Sequence, residues 1–428
     1  MGGSLIKDIA VKKIDGCRVC HNRELIEIPS LGNQIVINFS DAIDMGQFSA
    51  PLDLVICEKC GLLQLKYTVS REIMYKKYWY RSGISTLMIL FLRDIVISAQ
   101  KLVELSPGDI VIDIGANDGT LLRQYDQIGL KKIGFEPSNL FKYGSSSDIH
   151  MISDFFNYVS FWKKAGNAKA KIITSIAMFY DLDNPNEFVE DIKKCLHPDG
   201  LWVIQMNYLG SMLKNYSFDN ISHEHLEYYS LHALKYLLDM HGLSIIKTEL
   251  NEVNGGSIRA YITFKNSGVK ISEEDLRDVR KLLASEIENN LLSITTYVSY
   301  FNRIKKIGLC LSKFINEEKT RGKIIGIYGA STRGFVLLQY FEINSNLVSF
   351  AIDKNPEKWG KFIPGTGLKI YEPNAIYKMK ADYLLLLPYH LLDEIIIQES
   401  KFLEQGGKII VPLPEPALVS SSGKELLR

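Results

Sequence analysis

The sequence lacks a long uninterrupted apolar run. Its most apolar stretch, LMILFLRDIVI, is broken by Arg93 and Asp94, whereas a membrane-spanning helix needs about 18 or more apolar residues in succession. The first fourteen residues also lack an apolar core followed by a small-residue cleavage site. We therefore expect no membrane span, no membrane partner and no secretory signal, and the default location is the cytoplasm.

The sequence also lacks an excess of charge of either sign. Its 428 residues include 50 basic and 49 acidic side chains, a net charge of +1, and no Lys/Arg tracts. A protein built to hold nucleic acid usually carries a strongly basic face. We therefore expect no nucleic-acid partner, and a zinc-ribbon protein that binds or methylates RNA is a disfavoured alternative.

Cysteine is scarce, and four of the six cysteines form two C-x-x-C pairs: Cys17 with Cys20, and Cys57 with Cys60. In a cytosolic chain such pairs indicate metal binding rather than disulfides. Two knuckles together supply the four thiolates that a structural zinc ion prefers. The 36 residues between the pairs exceed the usual ribbon spacing, and a redox or disulfide role is the alternative.

The order of apolar segments predicts three domains. Residues 1–70 hold the zinc-binding module, residues 71–252 alternate strands and helices as in a doubly wound parallel sheet, and residues 253–428 begin with a helical connection and continue as a second α/β unit. The predicted fold class is therefore α/β, with two Rossmann-like domains behind a zinc module.

The first glycine loop, residues 113–119 (DIGANDG), follows an apolar strand and precedes helix formers. Glycines admit close approach of a ligand, a helix N-terminus offers free amides, and an acid ending the next strand suits ribose hydroxyls. The D-x-G-x-x-x-G form favours S-adenosylmethionine over a dinucleotide, and the alternative is a simple turn with a surface glutamate. The expected cofactor contacts are Asp113, Gly115, Asn117, Gly119, the ribose-binding Glu136, and Asp154 and Phe155 at the adenine.

The chain resembles the nucleotide-sugar C-methyltransferase family in a series of motifs that occur in order over nearly its whole length. Besides the cysteine pairs these are YWYRSGIS, VIDIGANDGTLL, GFEPS, HEHLEYYSL, NGGSIRAY, YGASTRG and PGT. The resemblance implies zinc, S-adenosylmethionine and a nucleotide-linked sugar bound between the middle and C-terminal domains. The expected protein is a monomer or a small homo-oligomer.

His223, Glu224 and His225 form a cluster in the segment FDNISHEHLEYYSL, downstream of a predicted strand. In an extended segment the two histidines point to one side and the glutamate to the other. Three interpretations remain open: metal ligands lacking an identified third partner, satisfied polar core residues, or proton-transfer groups near neutral pKa.

The resemblance implies that His225 is the base and that Glu224 orients it or contacts the sugar. It also makes Tyr78 and Tyr80 candidates to contact the substrate or stabilise an oxyanion. Relatives often carry a tyrosine before H-E-H, where this chain has Ser222, and MFYDL lacks a histidine that some relatives have. O-methylation of a sugar hydroxyl is therefore the alternative reaction, and an inactive scaffold is a third possibility.

The second glycine loop, residues 329–334 (GASTRG), repeats the strand–glycine–helix pattern. Its amides, hydroxyls and guanidinium favour phosphate, so we expect this domain to hold the diphosphate of the substrate. A turn without ligand, or a second dinucleotide cofactor, are the alternatives. The expected substrate contacts are Gly329, Ser331, Thr332, Arg333, Asp353 after the next strand, and Arg259 in VNGGSIRAY, which a surface turn also explains.

Overall fold

The computed structural model describes residues 11–36, 48–70 and 81–427. Tyr78 and Tyr80 therefore lie outside the described residues, and their proposed roles stay predictions. Within the described ranges, no helix combines the length and the apolar character needed to cross a membrane.

The N-terminal module consists of short antiparallel strands around the cysteine knuckles. Its strands are Val11–Lys13, Leu25–Glu27, Asn33–Ile35, Ser49–Pro51, Leu54–Cys57, Leu63–Leu65 and Tyr67–Val69. The two-residue strand Glu227–Tyr228, which comes from the middle of the chain, pairs with Leu63–Leu65 and forms the edge of the module's four-stranded sheet. This pairing ties the module to the segment that carries the histidines.

The middle domain is a seven-stranded sheet with helices on its faces. In spatial order its strands are Ile149–Ile152, Lys131–Phe135, Ile110–Ile114, Ala170–Ile176, Leu196–Asn207, Ser257–Phe264 and Leu243–Asn251. Its α-helices are Thr86–Gln100, Phe141–Gly144, Tyr158–Ala165, Pro185–Cys195, Leu209–Lys214 and Leu231–Met240. The first five strands in this order are parallel, as the alternating sequence pattern predicts.

The strand Ser257–Phe264 departs from the predicted domain boundary. It runs antiparallel between Leu196–Asn207 and Leu243–Asn251, and seven of its eight residues are buried. The predicted division at residue 252 therefore falls inside the sheet, and the middle domain extends to about residue 264.

Two helices, Glu273–Glu288 and Ile294–Thr320, occupy the predicted helical connection. The first begins at Ser272, whose side chain accepts a hydrogen bond from the Asp275 amide, and three acidic residues fill its first turn. Both features stabilise a helix start. At its other end, Glu286 accepts the amides of Leu231 and His232, which fixes this helix to the helix Leu231–Met240.

The C-terminal domain is an eight-stranded sheet. In spatial order its strands are Phe362–Ile363, Leu368–Tyr371, Phe350–Ile352, Ile325–Tyr328, Tyr383–Leu386, Lys408–Val411, Ala417–Ser420 and Gly423–Leu426. Its α-helices are Thr332–Tyr340, Ala375–Lys378, Leu392–Gln398 and Ser400–Glu404. The five strands from Leu368–Tyr371 to Lys408–Val411 in this order are parallel, so their carboxyl ends lie at one edge, where open α/β sheets bind ligands.

Because Ser257–Phe264 lies between two strands of the middle sheet, a chain that ends at residue 252 leaves both of them with unpaired edges. We expect a fragment of residues 11–252 to aggregate, and a fragment of residues 11–290 to unfold cooperatively. Gel filtration and thermal unfolding followed by circular dichroism check this. Equal solubility and cooperativity of the two fragments would contradict the boundary.

Candidate active site

The four knuckle cysteines converge on one point. Their sulfur atoms all lie within 4.8 Å of one another, with Sγ–Sγ distances of 3.4 Å for Cys17–Cys60 and for Cys20–Cys57. A zinc ion with about 2.3 Å to each of four sulfurs needs sulfur–sulfur separations of about 3.8 Å. All four thiols are free of disulfides, so the donor set and its spacing fit tetrahedral zinc.

The zinc module holds one side of the histidine loop, which we define as residues 217–228. The Leu65 amide donates to the Leu226 carbonyl at 2.9 Å, next to the strand pairing of Glu227 with Gln64. His223 is buried, and its Nε2 lies 2.9 Å from the Ala50 carbonyl of the module. His223 therefore faces the zinc module and does not line the large cavity described below.

The first glycine loop is held by side chains of its neighbours. The Asn117 and Ser138 amides donate to the two oxygens of Glu136, at 2.9 and 2.8 Å. Asp113 accepts the Thr174 hydroxyl at 2.6 Å, and burial, reinforced by the Glu136 charge, raises its pKa to about 7. These carboxyl groups therefore shape the loop as well as lining the cavity.

The expected α-helix after this loop is absent. Only a short 3-10 turn, Leu122–Gln124, follows Gly119. Gly119 has a φ of +76°, and a Cβ there would lie 2.9 Å from Gly144 Cα, so the loop is packed against a neighbouring backbone. Leu121 and Tyr125 are buried, and the chain then returns to the next strand.

Residues 81–84, which belong to the motif YWYRSGIS, lie on the first glycine loop. The Ser82 amide donates to Asn117 Oδ1 at 3.2 Å, and the Gly83 amide donates to Asp118 Oδ2 at 3.0 Å. The Arg81 guanidinium stacks on the Tyr143 ring at 4.2 Å. The described end of the motif YWYRSG is therefore attached to the loop.

A single cavity of about 640 Å³ connects the three predicted regions, within the range of about 300–1,000 Å³ typical of ligand sites. From the first glycine loop and its neighbours, the predicted residues that line it are Asp113, Gly115, Asn117, Glu136, Asp154 and Phe155. From the histidine loop and the second glycine loop, they are Glu224, His225, Ser331, Thr332 and Arg333.

One ring nitrogen of His225 is already hydrogen-bonded to the backbone. Its Nδ1 lies 2.7 Å from the Asn220 carbonyl oxygen, and a carbonyl accepts only from a protonated nitrogen, so Nε2 is the unprotonated nitrogen of the neutral ring. The ring meets Tyr180 edge-on at 4.5 Å between centroids. Burial, with the Arg333 charge in addition, lowers the pKa of His225 to about 4. At neutral pH the ring is a free base in the correct tautomer for accepting a proton at Nε2.

Glu224 lies on the same side as His225, contrary to the expectation for an extended segment. Residues 223–224 form a turn, so Glu224 and His225 line the cavity while His223 does not. Burial raises the pKa of Glu224 to about 7. In the described part of the chain, the cysteine cluster is the only group of three or more possible ligands close enough to share a metal ion, so the two histidines have no third ligand there.

The second glycine loop presents the start of the helix Thr332–Tyr340 to the cavity. Ser331 caps this helix by accepting the Gly334 amide at 3.0 Å. Gly329 and Asp353 support the loop from behind: a Cβ at Gly329 would lie 2.7 Å from Pro388 Cδ, and Asp353 accepts the Ala330 amide at 2.8 Å. Neither lines the cavity.

Two further predicted contacts also lie away from the cavity. Gly119 packs against Gly144. Arg259 donates to Gln205 Oε1 and to Asp94 Oδ2, both at 2.8 Å, behind the wall of the cavity. The buried strand position of Arg259 explains this placement, because its side chain projects from the sheet toward the helix Thr86–Gln100.

Several cavity residues were not singled out by the sequence. They are Ser82, Tyr180, Asn207, Asp219, Asn254 and His390. Tyr180 and His390 each come shortly after a parallel strand, Ala170–Ile176 and Tyr383–Leu386. Reading the residues that follow every predicted parallel strand would have identified these two.

Comparison with known proteins gives three family matches in chain order. Residues 17–75 match a zinc binding domain, residues 91–248 a methyltransferase domain, and residues 252–414 a C-methyltransferase C-terminal domain. The C-methyltransferase NovU of Streptomyces niveus is 29% identical over 417 residues, which cover 96% of this chain and 98% of that protein.

Solved structures resemble part of the chain. The plantazolicin methyltransferase BpumL in complex with S-adenosylhomocysteine has a TM-score of 0.35 at 13% identity, covering 43% of this chain and 87% of its own. The N-methyltransferase NodS of Bradyrhizobium japonicum has a TM-score of 0.31 at 10% identity, covering 41% and 94%.

The fold, the loop and the domain matches define an S-adenosylmethionine-dependent methyltransferase with a zinc-binding module. More particularly, the chain carries a zinc-binding domain, a methyltransferase domain and a C-methyltransferase C-terminal domain in that order, and it is similar to the C-methyltransferase NovU along almost its whole length. The predictions of S-adenosylmethionine as cofactor and of structural zinc are confirmed.

Substituting one knuckle cysteine tests the structural role of zinc. We expect Cys60→Ser to lose bound zinc and to lower the thermal midpoint by roughly 5 °C or more, because the module anchors the histidine loop. Metal analysis and thermal unfolding check this, with Cys310→Ser as the control, since Cys310 lies in the helix Ile294–Thr320, outside the cluster. Full zinc content in Cys60→Ser would contradict the assignment.

Proposed function

We propose that this chain transfers a methyl group from S-adenosylmethionine to a ring carbon beside the carbonyl of a nucleotide-linked keto-sugar, with His225 as the base. The observation that carries the proposal is the single cavity that joins the first glycine loop, the histidine loop and the second glycine loop. A donor and an acceptor bound at its two ends share one enclosed space, which favours direct transfer between them.

The donor end of the cavity suits the cofactor. Six of the seven predicted cofactor contacts line it, and Phe155, which is 45% exposed, offers a ring face for stacking. S-adenosylmethionine, when bound there, supplies an electrophilic methyl group. Glu136 accepts two backbone amides, and its remaining acceptor capacity suits ribose hydroxyls.

The acceptor end suits a diphosphate. The helix Thr332–Tyr340 has nine residues, and the amides of its first turn together with its dipole favour anions. Ser331 and Thr332 line the cavity at this point. We assign the nucleotide diphosphate to this end, so that the sugar extends toward the histidine loop.

The proposed reaction begins with a proton transfer to His225. Nε2 takes a proton from the carbon beside the carbonyl, and the electron pair of that C–H bond moves toward the carbonyl oxygen to form an enolate. The enolate carbon then bonds to the methyl group, and the electrons of the broken carbon–sulfur bond stay on sulfur. In its protonated form, which a pKa of about 7 keeps populated at neutral pH, Glu224 donates a hydrogen bond to the developing oxyanion.

His225→Ala tests the base. We expect turnover to fall by roughly 100-fold to 10,000-fold, with binding of S-adenosylhomocysteine retained, because His225 is assigned to the proton and not to the donor. Turnover and calorimetric titration check this. His150→Ala is the control, since His150 is an exposed histidine on the strand Ile149–Ile152. Loss of donor binding in His225→Ala would indicate a structural role instead.

A second experiment on the wild type and His225→Ala distinguishes methylation at carbon from methylation at oxygen. Each protein is incubated with a candidate keto-sugar nucleotide in deuterated water, without methyl donor. The wild type should introduce deuterium beside the carbonyl, and His225→Ala should not. Methylation of a non-keto sugar without exchange would favour O-methylation, the alternative that Ser222 keeps open.

The pH dependence tests Glu224. Its folded pKa of about 7 means that the acid is protonated below that pH and ionised above it, so kcat/KM should fall as pH rises through about 7. Glu224→Gln keeps a neutral donor that does not titrate, and should remove this limb. Glu252→Gln, at an exposed carboxylate, is the control. An unchanged limb in Glu224→Gln would exclude the proposed role.

A further inference from the structure

Arg333, which the sequence suggests as a phosphate ligand, is bound to the histidine loop. Its Nε donates to Asp219 Oδ2 at 3.0 Å, and its Nη2 lies 2.9 Å from the same oxygen. The other oxygen of Asp219 accepts the Tyr389 hydroxyl at 2.8 Å. Asp219 is 1% exposed. Two elements of the C-terminal domain thus hold one buried carboxylate of the histidine loop.

Asn220, the residue after Asp219, is hydrogen-bonded to the ring of His225. Asp219 and Asn220 belong to the same 3-10 turn, Phe218–Asn220, and the Asn220 carbonyl accepts from Nδ1 of His225 at 2.7 Å. Displacement of Asp219 therefore moves the oxygen that selects the tautomer of His225.

The same turn is fixed to the C-terminal domain a second time. Phe218 is fully buried, and its ring lies 5.3 Å from Tyr340 and 5.1 Å from Phe341 between centroids. Tyr340 and Phe341 lie at the C-terminal end of the helix that carries Arg333 in its first turn. The helix Thr332–Tyr340 thus holds the turn at both ends, by an ion pair and by ring packing.

We propose that Arg333 is a positioning residue through which the C-terminal domain sets the tautomer and orientation of His225, by way of Asp219 and the Asn220 carbonyl. This inference rests on the proposed function for its meaning in catalysis. Its structural content, the dependence of the His225 ring on Arg333 and Asp219, does not need the substrate to be known.

The charge of Arg333 acts on the same ring. Removing the guanidinium should raise the pKa of His225 from about 4, since that charge adds to burial in lowering it. The titratable and charged groups that contact the ring or line the two cavities that it borders come from all the surrounding elements. They are Tyr180, Tyr208, Asp219, Glu224, Glu227, Tyr228, Arg333 and His390, together with the carboxyl groups of Asp113, Glu136, Asp154, Asp181, Glu187 and Asp191. Only the change at Arg333 removes a positive charge, so the direction of the shift is specific.

Nitrogen NMR of the full-length protein, labelled with ¹⁵N-histidine, reads the tautomer directly, and His225→Gln assigns the signal. In the wild type we expect one tautomer, with the proton on Nδ1. Arg333→Gln and Asp219→Asn should each give a mixture of tautomers, and Arg333→Gln should also titrate at a higher pH. An unchanged Nδ1-protonated signal in both variants would overturn the proposal, whether or not the protein methylates a sugar.

Kinetics separate positioning from phosphate binding. Positioning predicts that both variants lower kcat by roughly 10-fold to 100-fold, with KM for the nucleotide sugar within about threefold, and that the double variant is no slower than the worse single one. A phosphate ligand predicts a raised KM in Arg333→Gln alone, which would overturn the proposal.

Two measurements show whether a variant is still folded, so that a loss of activity is not simply a result of misfolding. Zinc content and the affinity for S-adenosylhomocysteine should stay at wild-type values in Arg333→Gln and Asp219→Asn. Arg303→Gln, which breaks an exposed ion pair with Glu415, is the matched control and should leave kcat and the His225 signal unchanged. If Arg333→Gln does not fold, Asp219→Asn alone decides, since it removes the ion pair while keeping the shape of the side chain at residue 219.

Discussion

The histidine loop has little regular structure of its own, and the site depends on how the surrounding domains hold it. Its C-terminal end forms an edge strand of the zinc module, its turn Phe218–Asn220 is held by the C-terminal domain, and Asn207 of the middle sheet donates to the Asn220 side chain at 2.9 Å. A loop held at three points by three domains keeps a fixed geometry at a sheet edge, where an unsupported loop would be mobile. This arrangement explains why a zinc module belongs to the enzyme although its metal lies outside the cavity.

Burial of the same loop determines its protonation states. It disfavours charge on both active-site candidates, raising the pKa of Glu224 to about 7 and lowering that of His225 to about 4. At neutral pH the cavity therefore presents a neutral base beside a carboxyl that is about half protonated. Pairs of groups whose environments move their pKa values in opposite directions are typical of acid–base catalysis. The nearby Arg333–Asp219 pair is neutral overall, so it adds rigidity without adding net charge to the site.

The alternation of strands and helices in both α/β domains and the cysteine centre could be predicted from the sequence, because both rest on local patterns. The strand Ile110–Ile114 is buried at every position and is apolar except for Asp113. Each cysteine pair shows its C-x-x-C spacing directly in the sequence. The strand Ser257–Phe264 could not be assigned to its domain in this way. Its partners lie six and about fifty residues earlier in the chain, and the family matches also divide the chain near residue 252, since sequence records the order of segments and not their pairing.

The candidate site was predicted in part for the same reason. Residues that follow parallel strands converge at one edge, so loop motifs identified most of the cavity wall. The direction of each side chain could not be predicted from the sequence. A turn at residues 223–224 makes His223 and His225 face different surroundings, and Arg259 projects toward Asp94. Arg333 illustrates the limit most clearly. A guanidinium in a glycine loop favours phosphate on local chemistry, yet 114 residues earlier in the chain Asp219 supplies a buried partner at 2.9–3.0 Å. Breaking such a pair from one side costs about 3–5 kcal/mol. A diphosphate that bound the Arg333 side chain would therefore have to offset that cost. A diphosphate that bound the backbone amides at the start of the same helix would not have to break the ion pair.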